Sequence, residues 1–125
     1  MKRIFIILAA ALSLVACQKY HSYTDTIELN GYKFFYAVEG NGKPVILIHG
    51  NGESHCVLET TQRQLAQAGY TVYAMDSRGQ GSNEPVAEYH YKDMAEDVLA
   101  FIKAKGLDRP AVFGWSDGGI IALEL

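Results

Sequence analysis

Ala111-Val112-Phe113-Gly114-Trp115-Ser116-Asp117-Gly118-Gly119 (AVFGWSDGG) decides how this chain is read. A short apolar strand runs into Gly-x-Ser-x-Gly at Gly114–Gly118, and the stretch from Gly119 to Leu125 resumes an apolar, helix-like pattern. A serine hydroxyl attacks carbonyls poorly unless it is exposed, aimed and deprotonated, and a sharp strand-to-helix turn supplies the first two conditions. Gly114 and Gly118 remove side chains that would collide in such a turn. The helix N-terminus beyond Ser116 offers free N–H groups where charge develops on a tetrahedral oxyanion. A tight turn of small residues without chemistry has the same composition, so the neighbouring loops must discriminate.

Upstream, Val45-Ile46-Leu47-Ile48 is a continuous apolar run, expected of a central parallel strand covered on both faces. His49-Gly50-Asn51-Gly52 follows it directly, at the carboxyl edge where α/β sheets bind ligands, and its glycines allow close backbone approach. His49 reads better as a packed, hydrogen-bonded residue shaping this loop than as a proton carrier. Ser54 to Ala68 places Val57, Leu58, Thr61, Leu65 and Ala68 on one helical face, closed by Gly69. Cys56 within it reads as a small apolar helix residue. Tyr70 to Met75 is a second buried strand, the stretch from Asp76 to Pro85 is a loop, and Tyr91, Met94, Ala95, Val98 and Ile102 define the next helix, closed by Gly106. Before all of these, Thr26 to Leu29, Asn30-Gly31 and Tyr32 to Val38 form a β-hairpin with a type I′ turn. Strands alternating with helices imply a parallel sheet in a three-layer α/β domain over residues 25–125.

These residues resemble the N-terminal half of an α/β-hydrolase-fold enzyme. Gly114–Gly119 is similar to the nucleophile elbow of one branch of that family, and His49–Gly52 to its oxyanion loop. Asp76-Ser77-Arg78-Gly79-Gln80-Gly81-Ser82-Asn83 is similar to the loop after the family's fourth strand, except that Asn83 stands where a serine is usual. The resemblance implies Ser116 as nucleophile and the backbone N–H groups of Asn51 and Asp117 as oxyanion donors. It implies architectural roles for His49, Gly50, Gly52, Asp76, Arg78, Gly114 and Gly118; a solvated charged loop explains Arg78 equally well.

The same family places its acid and histidine after the nucleophile. Leu125 ends the sequence first, and His21, His49, His55 and His90 all lie upstream of Ser116. A sheet stopping at Ala111–Trp115 would expose an apolar, unpaired edge. The sequence therefore reads as an incomplete, truncated fold. The expected activity is hydrolysis of a carboxylic ester, thioester or amide of a small-molecule substrate through an acyl-Ser116 intermediate. The alternative is a catalytically inactive envelope lipoprotein remnant with a binding or structural role. Other chemistries on the scaffold, such as perhydrolysis or carbon–carbon cleavage, stay open. No cofactor and no metal are expected, since no dinucleotide-binding turn or ligand cluster is visible.

The 125 residues are 49% apolar and 20% charged, which excludes disordered, collagenous and coiled-coil classes. A formal charge of −3 without basic clusters beyond the N-terminus argues against nucleic acid. Lys2 and Arg3 precede an apolar run from Ile4 to Leu12 and small residues to Ala16, the layout of a secretory signal peptide over residues 1–16. That run is shorter than the roughly 20 apolar residues a membrane-spanning helix needs. Leu14-Val15-Ala16-Cys17 resembles the bacterial lipobox, which implies lipidation of Cys17, a tether over 17–24 and attachment to the cell envelope. Gln18 resembles the outer-membrane sorting pattern. Plain secretion with an unmodified cysteine is the alternative.

Overall fold

The computed structural model describes residues 20–125. The expected signal peptide and Cys17 lie outside the described residues. The chain forms β1 (His21–Leu29), β2 (Tyr32–Gly40), β3 (Lys43–Ile48), a 3₁₀ turn (His55–Leu58), α1 (Glu59–Gln67), β4 (Tyr70–Met75), α2 (Tyr91–Ala104), β5 (Ala111–Gly114) and α3 (Asp117–Leu123).

One five-stranded sheet results, in the order β1-β2-β4-β3-β5. The β1–β2 and β2–β4 pairs are antiparallel; β3 is parallel to both β4 and β5. The expected hairpin is present, turning through Asn30 (φ 51°) and Gly31 (φ 82°). It starts earlier than its sequence suggests. Residues 21–24, read as tether, belong to β1, where Ser22 stands opposite Glu39 and Thr24 opposite Ala37. The alternating apolar pattern that flags a strand begins only at Thr26, so the solvated first half of β1 carried no signal.

The pleat sorts the core into two layers. Ile46 and Ile48 of β3 join Phe34, Tyr36 and Val38 of β2 and Met94, Val98 and Phe101 of α2 on one face. Val45 and Leu47 point the other way, joining Val72 and Ala74 of β4, Leu58 of the 3₁₀ turn and Ala66 of α1. Each fully buried side chain of this size contributes about 1.5–3 kcal/mol. A strand buried on both faces must read as an unbroken apolar run, which is why Val45–Ile48 was legible.

The first helix departs from its expected face. Ser54 caps a 3₁₀ turn, accepting a hydrogen bond from the Cys56 N–H at 3.3 Å, and regular α-helix begins only at Glu59. The tighter winding rotates the buried stripe to Leu58, Gln62 and Ala66, leaving Val57 and Ala68 exposed. Gln62 tolerates burial because its amide donates to the carbonyls of Ala37 and Val72, both at 3.1 Å. Cys56, read as an apolar helix residue, is exposed. Among the described residues β5 has a single neighbour, β3, so its other edge carries exposed Phe113 beside exposed Trp115. No helix of the described residues is long and apolar enough to cross a membrane.

Candidate active site

β3 and β5 end side by side, with Ile48 opposite Gly114. The Trp115 N–H donates to the Ile48 carbonyl at 3.0 Å, and the chain then turns sharply into α3. Ser116 takes φ 52° and ψ −120°, a conformation non-glycine residues rarely adopt, at a cost of about 1–3 kcal/mol. Surrounding contacts over-determine it: Gly118 N–H donates to Trp115 O at 2.9 Å and Gly119 N–H to Ser116 O at 2.8 Å. A Cβ on Gly118 would overlap the Ile48 carbonyl and lie 2.7 Å from the His49 carbonyl oxygen, and one on Gly114 would overlap the Gly118 carbonyl. The start of α3 therefore packs backbone to backbone on the end of β3. The Ser116 side chain is left exposed.

The loop after β3 lies against this bend. A Cβ on Gly50 would stand 2.8 Å from Glu53 Oε2, 3.2 Å from Ser116 Cβ and 3.3 Å from Trp115 Cδ1, so the bare Cα lets the two loops meet without displacing these neighbours. The loop is a turn closed by Glu53 N–H to Gly50 O at 3.3 Å, with Gly52 at φ 72°. Its other amides are occupied: Gly50 N–H donates to the Glu53 carboxylate at 2.9 Å and Gly52 N–H to Gln80 Oε1 at 2.7 Å. Among the described residues, neither the Asn51 nor the Asp117 N–H meets a protein acceptor. Those are the two amides to which the family resemblance assigns the oxyanion.

His49 is buried, as a loop-shaping residue should be. Its Nε2 accepts the Ser77 N–H at 2.9 Å, so Nδ1 carries the proton and donates to Gly50 O at 2.7 Å. This ring joins the loops after β3 and β4. Asp76, fully buried, accepts from the N–H and Nδ1 of His55 at 2.7 and 2.8 Å and from the Ser82 N–H at 2.8 Å. Asn83, the departure from the usual serine, accepts the Phe35 N–H at 2.7 Å and donates to the carbonyls of Asp76 and Ser77 at 2.8 and 3.0 Å. It splices β2 to the loop.

Arg78 is held, not solvated. Its Nε and Nη2 each donate to Asp97 at 2.8 Å, and its guanidinium lies 4.4 Å from the Tyr32 ring centre. The hydrogen bonds to Asp97 raise the arginine further above its ordinary range. Tyr91, at the start of α2, bonds the Asp117 carboxylate, which pushes its phenol above the usual value.

Glu53, His55, Gln62 and Asp97 were not singled out as functional or architectural from sequence. His55, Gln62 and Asp97 have partners distant in the chain, and Glu53 closes a local turn; periodicity carries no trace of either kind of pairing. The ring contacts of the four histidines are with residues other than Ser116. His21 rests edge-on to Tyr23, His90 meets Glu88 at 3.1 Å, and the partners of His49 and His55 lie in the β4 loop and the turns beside them. Among the described residues no three His, Cys, Asp or Glu side chains converge as a metal ion would require. Among the described residues, the arrangement presents an exposed serine at a strained bend with the Gly50 loop against it, and no histidine hydrogen-bonds to its hydroxyl.

Residues 43–125 match the family model described as alpha/beta hydrolase fold. A soluble epoxide hydrolase from Corynebacterium sp. is 35% identical over 95 residues, covering 75% of this chain and 33% of that protein. A pimeloyl-[acyl-carrier protein] methyl ester esterase from Aliivibrio fischeri is 35% identical over 90 residues, covering 72% of this chain and 33% of the esterase. Among solved structures, an epoxide hydrolase variant from Vigna radiata superposes with a TM-score of 0.77 at 28% identity, over 82% of this chain and 33% of that one. The chain thus spans about a third of the length of these relatives. The family match covers most of the chain and the superposition agrees with the fold described: the chain belongs to the α/β-hydrolase-fold family.

Proposed function

We propose that this chain is the nucleophile-bearing part of a serine hydrolase that cleaves a carboxylic ester, thioester or amide of a small molecule. Ser116 Oγ would attack the substrate carbonyl, the Asn51 and Asp117 N–H groups would take the oxyanion, and water would release the acyl group from Ser116. The strained backbone of Ser116 against Gly50 carries this reading, because a folded protein retains such strain only where surrounding contacts hold it. Proton transfer from Oγ needs a base, and a histidine supplied by chain outside this sequence would fill that role. The esterase relative supports acyl chemistry, since its name specifies a methyl ester. At the N-terminus, the lipobox-like Leu14–Cys17 supports lipidation of Cys17 and attachment to the cell envelope.

A second reading is a non-catalytic envelope lipoprotein with a binding or structural role. It is favoured by the engagement of His49 and His55 with partners other than Ser116. Hydrolysis of a panel of p-nitrophenyl esters by the protein expressed from its own gene separates the two. The enzyme reading expects turnover that falls at least about a thousandfold in Ser116→Ala, the scale of losing a nucleophile. Turnover equal in both forms, or none in either, favours the second.

A further inference from the structure

Cys56 borders a groove with residues of β1, β2 and α1, whereas Val57 and Leu58 of the same 3₁₀ turn border Trp115; its side-chain array is one that the hydrolase chemistry does not use. The Asp76 carboxylate can only accept, so His55 Nδ1, 2.8 Å away, donates to it, and the ring's lone pair resides on Nε2. Cys56 Sγ lies 3.5 Å from that Nε2. Asp76 is fully buried and held by the Ser82 N–H, and the His55 ring is packed at 4.8 Å against Phe35. The imidazole is therefore oriented at both ends, as a base assisting a thiol must be. Cys56 is an exposed residue.

An open groove adjoins the thiol, bordered by Ser22, Thr24, Glu39, Glu59, Gln62 and Arg63. Arg63 is shared by the two carboxylates, with Nη2 at 2.9 Å from Glu59 and Nε at 3.7 Å from Glu39. Two negative groups against one positive group disfavour anionic reactants, while the hydroxyl and amide lining suits a small, neutral, polar one.

We propose that Cys56, His55 and Asp76 form a second reactive site, at which the Cys56 thiol is oxidised by a small neutral hydroperoxide. His55 Nε2 takes the thiol proton as sulfur attacks one peroxide oxygen. The S–O bond forms as the O–O bond breaks, and the departing hydroxide or alkoxide takes the proton from the imidazolium and leaves as water or alcohol. Sulfur loses two electrons and becomes sulfenic acid; the peroxide is reduced by the same two.

The test is the rate of sulfenic acid formation on the Cys56-containing peptide of the full chain, in hydrogen peroxide with dimedone as trap, read by mass spectrometry. Native chain should react at least about tenfold faster than chain unfolded in urea and than His55→Gln, which retains a donor for Asp76 but no base. An exposed thiol without assistance reacts equally fast in all three, and that result overturns the site. If His55→Gln does not fold, the native-to-unfolded ratio alone decides. Oxidised glutathione, an anionic disulfide, should show a smaller native-to-unfolded ratio than peroxide; a larger one overturns the assignment of the reactant.

Discussion

The Trp115 amide donates to the Ile48 carbonyl at 3.0 Å, which fixes the serine-bearing bend at the level where β3 hands over to the His49–Gly52 loop. That single bond lies between two strands far apart in sequence. Every property of the site that depends on Ser116 facing Gly50 depends on this junction staying closed.

Closure requires a bare Cα at position 118 but not at position 119. A Cβ on Gly118 would overlap the Ile48 carbonyl, whereas one on Gly119 would meet the Gly114 oxygen at 3.5 Å, an ordinary contact. Gly118→Ala should lose about 1–3 kcal/mol in urea unfolding, and Gly119→Ala should be neutral or gain up to about 1 kcal/mol of helix propensity. Equal stability of the two variants would contradict the packing described.

Arg78 and Asp97 join the β4 loop to α2 through two bonds of 2.8 Å, with Asp97 also accepting from Asn30 Nδ2 at 2.9 Å. Removing one partner strands the other in a buried place. Arg78→Met and Asp97→Leu should each destabilise by about 3–5 kcal/mol, and the double variant by less than the sum, as measured by a double-mutant cycle in guanidinium. Additive losses would mean that the pair is not coupled.

Asn83 is a splice, not a casual replacement of serine. Its side chain makes three hydrogen bonds, to Phe35, Asp76 and Ser77. Asn83→Ala leaves these groups without partners and should cost about 2–3 kcal/mol, while Asn83→Ser should recover part of that loss. Thermal unfolding of the three proteins checks the order.

Tyr73 provides a pH dependence. Burial pushes its phenol above the usual value of about 10, foremost because the charged form is poorly solvated beside Phe101. The folded state binds this proton more tightly than the unfolded chain. Its contribution to stability is therefore complete below pH of about 10 and is lost as pH rises through the folded value. Tyr73→Phe should flatten the alkaline decline in unfolding free energy. An identical decline in both proteins would assign it to other groups.

Residues with one-dimensional signatures disclosed their places in advance. Val45–Ile48 declared a doubly covered strand by being apolar throughout, and Gly114–Gly118 declared a bend by its glycines. What stayed hidden were pairings closed by the fold. His55 needed Asp76 from the end of β4 before it became more than a surface histidine, and Arg78 needed Asp97 from α2. The early start of β1 and the rotated face of the first helix share a different cause. A solvated strand and a 3₁₀ turn both break the periodicity by which buried elements are recognised.

The most direct examination of the central claim is the site of covalent labelling by a fluorophosphonate, mapped by peptide mass spectrometry on the protein expressed from its own gene. A phosphonyl adduct is expected on Ser116 and should disappear in Ser116→Ala. Labelling of equal extent in both proteins, with the adduct on another residue, would contradict it.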